Sequence, residues 1–143
     1  MDLDEIQERL GVEFKDQSLL LEALTHISCL NEPKTGLSKC NESLAWLGDA
    51  LLYWVVSERE YQKDLSTEDL HNRRENFINK KYIAGRAVHY GLDKAMRITD
   101  GQAKEGGRAN QKNQHTLYEA VVGAIYKDKD LESAKNFVLE TCI

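Results

Sequence analysis

The stretch Asn41-Glu42-Ser43-Leu44-Ala45-Trp46-Leu47-Gly48-Asp49-Ala50-Leu51-Leu52-Tyr53-Trp54-Val55-Val56 constrains the fold more than any other part of the chain. It is almost wholly apolar apart from two acids, and a glycine sits in its middle. At ~100° per residue, positions seven apart return to within about 20° of one another. As a helix it therefore puts Glu42 and Asp49 on one face with Ala45 between them. Leu44, Leu47, Leu51 and Val55 fall on the opposite face and are expected to be core. Two carboxylates on a mostly buried helix need compensation from Arg, Lys or a divalent cation, because an unpaired buried charge costs several kcal/mol. Hard cations take oxygen ligands, so Asp and Glu are the residue types such a site requires. On this helix by itself the simpler reading is that Glu42 closes the first turn and Asp49 pairs with an arginine.

A second apolar helix, Gln114-His115-Thr116-Leu117-Tyr118-Glu119-Ala120-Val121-Val122-Gly123-Ala124, carries Glu119 one turn after Thr116. Gly48 and Gly123 both interrupt apolar helices, where glycine is worse than alanine by ~1 kcal/mol. Their presence is explained if the two helices approach closely. Asp49 and Glu119 would then meet.

Helical periodicity runs through most of the remaining sequence, and clean strand alternation does not occur. The expected fold is all-α. Helices are predicted near 3–10, stopped by Gly11, and near 16–27, capped by Asp16 and burying Leu19, Leu20, Ala23, Leu24 and Ile27. A loop spans 31–40, which holds the single Pro. One helix covers about 41–60, and another runs from Ser66 to Tyr90, ended by Gly91. Residues 97–111, with Gly101, Gly106 and Gly107, read as a flexible loop. Helices near 112–127 and 130–141 follow. The 143 residues suit one domain, 1–143. No apolar run reaches the ~20 residues of a membrane span. The acidic Met1-Asp2-Leu3-Asp4-Glu5 start is unlike a signal or transit peptide. Cys29, Cys40 and Cys142 never fall in a CxxC spacing, which argues for a reducing compartment and against zinc. The expected location is intracellular and cytoplasmic.

A formal net charge of -5 excludes holding nucleic acid by bulk charge. The charge is nevertheless uneven: residues 73–112 carry 10 Lys+Arg and 4 Asp+Glu. Arg73 and Lys80 share a helical face, as do Arg74 and Lys81, a spacing able to track phosphates or simply to solvate a helix. Lys104, Arg108 and Lys112 add cations in the glycine-rich segment. That segment lacks the Lys-Ser/Thr of a P-loop. His26, His71, His89 and His115 show no metal-ligand spacing, and no Gly-x-Ser-x-Gly elbow is present.

Four collinear segments resemble the ribonuclease III family. Asn41-Glu42-Ser43-Leu44-Ala45-Trp46-Leu47-Gly48-Asp49-Ala50-Leu51-Leu52 is similar to its signature helix. Leu19-Leu20-Leu21-Glu22-Ala23-Leu24-Thr25-His26-Ile27-Ser28, continued by Asn31-Glu32, resembles the family's early segment. Gly106-Gly107 resembles the glycine pair of a later loop, and Glu119-Ala120-Val121-Val122-Gly123-Ala124-Ile125-Tyr126 resembles its last acidic helix.

The resemblance implies an all-α ribonuclease III endonuclease-domain bundle, working as a homodimer on double-stranded RNA. It implies phosphodiester hydrolysis with Mg²⁺, or Mn²⁺, held by four carboxylates. Asp49 and Glu119 are two of those positions, and Glu42 is also kept. The other two are Ala45 and Thr116, and a further acidic position of the family falls at Thr67 or Glu68. Ala45 offers no donor and Thr116 only a neutral hydroxyl, so the ligand count favours impaired cleavage over normal cleavage. The alternative is a non-catalytic RNA-binding or ribonucleoprotein scaffold. Trp46 matches an aromatic that, in the family, fills a pocket of the partner subunit. Arg73, Arg74, Lys80, Lys81, Lys104 and Arg108 are the expected RNA contacts. No double-stranded-RNA-binding domain is expected within these residues, so a partner protein could supply RNA affinity or acids.

Overall fold

The computed structural model describes residues 1–30 and 32–143; Asn31, part of the early segment, lies outside them. The molecule is all-α, and among the described residues extended pairing is confined to two single bridges, Thr25 with Arg97 and Leu30 with Leu37. The helices are α1 (Leu3–Leu10), α2 (Gln17–Ala23), α3 (Glu42–Glu60), α4 (Thr67–Ile78), α5 (Lys80–His89), α6 (Leu92–Ala95), α7 (Asp100–Lys104), α8 (Gln111–Asp128) and α9 (Leu131–Thr141). Local chemistry sets several ends. Asp2 accepts a hydrogen bond from the Glu5 amide at 2.9 Å to start α1, and Gly11 stops it at φ +70°. No helix among the described residues is long and apolar enough to cross a membrane.

α8 is the axis of the core. Every residue from Leu117 to Ile125 is buried, and α2, α3, α5 and α9 pack around it. α3 crosses it so closely that a Cβ on Gly48 would stand 1.7 Å from the Glu119 carbonyl oxygen. A Cβ on Gly123 would stand 2.2 Å from the Leu44 carbonyl oxygen. This contact turns α3 from the expected orientation. Leu44 and Val55 are core as predicted, but Leu47 and Leu51 are only half-buried. Ala45, Gly48, Leu52 and Val56 take the buried stripe instead. Small side chains face the partner because backbone-to-backbone approach leaves room for nothing larger.

Three other sequence expectations are corrected. α2 ends at Ala23 rather than near 27, because the chain after it pairs with a distant segment. The Arg97 amide donates to the Leu24 carbonyl at 2.7 Å and the His26 amide to the Arg97 carbonyl at 2.8 Å. The Arg97 guanidinium also donates to Thr25 Oγ1 at 2.7 Å. Ile27 then lies in a single 3₁₀ turn and is 46% exposed instead of buried. The helix expected from Ser66 to Tyr90 is two helices, broken at Asn79, whose ψ is 150°. The Asn79 side chain serves both ends: it donates to the Glu75 carbonyl of α4 and accepts from the Tyr82 amide of α5, each at 2.8 Å.

Residues 97–111 form a built corner, not a flexible loop. They contain α7 and a 3₁₀ turn at Gly107–Ala109. Arg108 donates to the Asp93 carbonyl at 3.0 Å and the Met96 carbonyl at 2.7 Å. Gly106 adopts φ +86°, and a Cβ on Gly107 would strike Ile98 Cδ1 at 2.5 Å.

The glycine contact yields a contrast that unfolding in denaturant can read. Gly48→Ala and Gly123→Ala are each expected to destabilise by about 3 kcal/mol or more, since the helices must separate. Gly85→Ala, at a helical glycine with nothing within 4 Å, is expected to stabilise by up to ~1 kcal/mol. Equal effects at the three positions would contradict close crossing as the reason for the first two glycines.

Candidate active site

Successive turns of α3 and the N-terminal half of α8 enclose an open cleft of about 380 Å³, lined by Glu42, Ala45, Trp46, Asp49, His115, Thr116 and Glu119. Close helix crossing brings Asp49 and Glu119 together. The arginine partner considered for Asp49 is not there; its carboxyl instead lies near that of Glu119, and both line the cleft. Glu119 is only 6% exposed, and burial, together with the neighbouring Asp49 carboxyl, raises its pKa from 4.5 to about 9, so it keeps its proton at neutral pH. Its Oε2 is buried without a partner.

His115, one helical turn before Glu119, places Nδ1 at 3.5 Å from Glu119 Oε1. Burial lowers the imidazole pKa; Asp49 opposes that shift and Lys80 adds to it. A histidine with lowered pKa beside a glutamic acid with raised pKa makes a neutral contact at neutral pH, not an ion pair. His115 is the site residue that the sequence reading passed over. Its i, i+4 spacing to Glu119 is the signal the sequence offers for it.

A profile of the Ribonuclease-III-like family matches residues 16–143. The chain belongs to the ribonuclease III family. It is 38% identical over 135 residues to Ribonuclease 3 of Bdellovibrio bacteriovorus, covering 93% of this chain and 57% of that protein. It is 40% identical over 134 residues to Ribonuclease 3 of Symbiobacterium thermophilum, covering 92% and 56%. The chain thus spans less than two thirds of the length of these relatives. A solved nuclease domain of ribonuclease III from Campylobacter jejuni superposes with TM-score 0.90 at 31% identity, covering 99% of this chain and 96% of that one. That structure is described as flexible in a region involved in dimer formation.

The family uses a divalent metal, and the residues present do not fit a Mg²⁺ site made of four carboxylates. Ala45 is a buried methyl. Thr116 turns its hydroxyl back into the helix, donating to the Lys112 carbonyl at 2.9 Å. Among the described residues, no three His, Cys, Asp or Glu side chains are placed to hold a metal ion. Neither Thr67 nor Glu68 lines the cleft.

The basic candidates divide in two. Lys80, Lys81 and Lys104 are exposed, and Lys80 is near enough to His115 for its charge to be felt there. The others are bound into the fold. Arg73 Nε lies 3.6 Å from Glu60 Oε1. Arg74 donates to Ser57 Oγ at 3.0 Å and covers the Tyr53 ring at 4.0 Å. Arg108 holds the 97–111 corner. Trp46 is 80% exposed on the rim of the cleft.

Folding favours the protonated form of Glu119, because its folded-state pKa lies above its ordinary value. The stability it contributes is full below about pH 4.5 and drains away as pH rises towards 9. In chelated buffer near neutral pH, Glu119→Gln is therefore expected to raise unfolding free energy by about 2 kcal/mol. The gain should vanish towards pH 4.5. A gain independent of pH would contradict the buried-acid account.

Proposed function

We propose that this chain acts on double-stranded RNA as a dimeric ribonuclease III-type domain whose hydrolytic power is impaired. One observation carries the reading: Asp49 and Glu119 line one cleft on the family's scaffold, while Ala45 and the inward-bonded Thr116 supply no charge. A phosphodiester carries a negative charge that must be met as the bond breaks. The remaining pair, with Glu119 protonated, brings about one negative charge where the resemblance implies four, so the cation density that a hydrolytic centre gathers is correspondingly lower.

Binding falls to the exposed cations. A-form RNA is held through phosphates, 2′-hydroxyls and shape, so lysines without base-reading side chains suffice. Lys80, Lys81 and Lys104 are the contacts, with Lys80 next to the cleft. Arg86 donates to the Thr141 carbonyl at 2.7 Å, and Arg97 and Arg108 are also internal, so the outward basic surface is smaller than the charge of residues 73–112 suggests. Affinity is therefore modest and salt-sensitive, and a partner protein would strengthen it. Trp46 supports dimer formation, since an exposed aromatic of this size is a common interface anchor.

Two measurements test the reading. With long duplex RNA and Mg²⁺ or Mn²⁺, set against a chelator, the chain is expected to shift the duplex in a gel while cutting it slowly. Ala45→Glu with Thr116→Asp is expected to raise the cutting rate about tenfold or more. Fast cutting by the unaltered chain would overturn the impairment; binding with no cutting in either form would favour the scaffold reading. In analytical ultracentrifugation, Trp46→Ala is expected to weaken a dimer by about 2 kcal/mol or more. An unchanged association constant would remove Trp46 from the interface.

A further inference from the structure

A groove runs between α1 and α9, past the end of α8 that lies away from the candidate active site. Its two parts share the segment 11–13 as a wall. One part, about 510 Å³, lies along α1 and carries the carboxylates of Asp4, Glu8 and Glu13. The other, about 310 Å³, lies against α9, with buried Ile125 and Phe137 at its base and Glu140 beside them. Ile125 sits about 9 Å further along the axis of α8 than Glu119, on a face turned by about 120°. The groove and the cleft are therefore separate places. We infer that this groove docks a Lys- or Arg-rich segment of a partner protein, one that carries an apolar side chain among its cations.

Charge selects that occupant. Asp4, Glu8, Glu13 and Glu140 are all exposed, and the one cation of the lining is Lys129. None of these four acids is in an ion pair among the described residues. Outside residues 73–112 the chain carries 20 Asp+Glu against 9 Lys+Arg, so no wider basic surface cancels them. A phosphate-bearing ligand is repelled there. A lysine or arginine side chain brings its charge to the acids and lays its stem on half-buried Val12. The part against α9, whose base is apolar, takes the segment's apolar side chain.

The groove is also built before anything enters it. Asp128, the last residue of α8, accepts from the Lys15 amide at 2.9 Å and from the Asp16 amide at 2.8 Å. Buried Gln7 of α1 accepts from the Phe14 amide at 2.8 Å. The shared wall is thus pinned to α1 at one side and to α8 at the other, and docking need not order it.

The test uses the full chain and a short labelled peptide with leucine at every fourth position and lysine between, followed by fluorescence anisotropy. Saturable binding at one site is expected. A peptide with glutamate for lysine is expected not to bind, and one with serine for leucine to bind about tenfold more weakly. Glu8→Lys with Glu13→Lys is expected to weaken the lysine peptide by about tenfold or more. Glu75→Lys with Glu105→Lys makes the same change of net charge at exposed acids outside the groove, and is expected to weaken it far less. Asn136→Trp, which fills the part against α9 from an exposed position, is expected to cost about tenfold. Each variant is first checked for an unchanged circular dichroism spectrum. No saturable binding, equal losses for the two double charge reversals, or full affinity with Asn136→Trp would each overturn the inference. The inference goes beyond the proposed function, and because no RNA enters the test, its failure leaves that reading standing.

Discussion

The backbone contact between α3 and α8 is the constraint on which the rest of the structure depends. Gly48 lies against the carbonyl of Glu119 itself, and Gly123 against the carbonyl of Leu44. The same crossing therefore closes the core and sets the site. Asp49 follows Gly48 directly, so any separation of the helices would withdraw it from Glu119. Burial of Glu119 has the same origin, because a helix packed on all sides leaves little water for an acid on its flank. Core geometry and site electrostatics are thus one arrangement.

That arrangement persists although the charge it surrounds has thinned. A cluster of four carboxylates is mutually repulsive and needs cations to hold it. Ala45 and Thr116 bring no charge to the cleft, and buried Glu119 holds a proton beside Asp49. The imidazole of His115 lies 3.5 Å from Glu119 Oε1.

Much of this was legible in the sequence. The all-α class, the two glycines as marks of close approach and the placing of Asp49 and Glu119 at one cleft all follow from periodicity and from what glycine does inside an apolar helix. The cap at Asp16 was readable for the same local reason. The misreadings share a cause. Leu24–His26 leaves the helix because it pairs with Arg97, far along the chain. Asn79 breaks a helix whose periodicity runs straight through it, because its side chain satisfies backbone groups on both sides. Arg73, Arg74 and Arg108 looked like free surface cations because a sequence shows charge without showing what it faces.

Residue type and short-range spacing by themselves determined the all-α class and most of its helices, which acids the apolar helices carry and which two glycines demand contact, since these depend on backbone propensity and steric size. Only the tertiary structure decided the turn of α3 that buries Ala45 instead of Leu47, the placing of His115 beside Glu119, and the division of arginines into anchors and surface. Those outcomes depend on distances between residues far apart in the chain, which are fixed when the helices pack and not before.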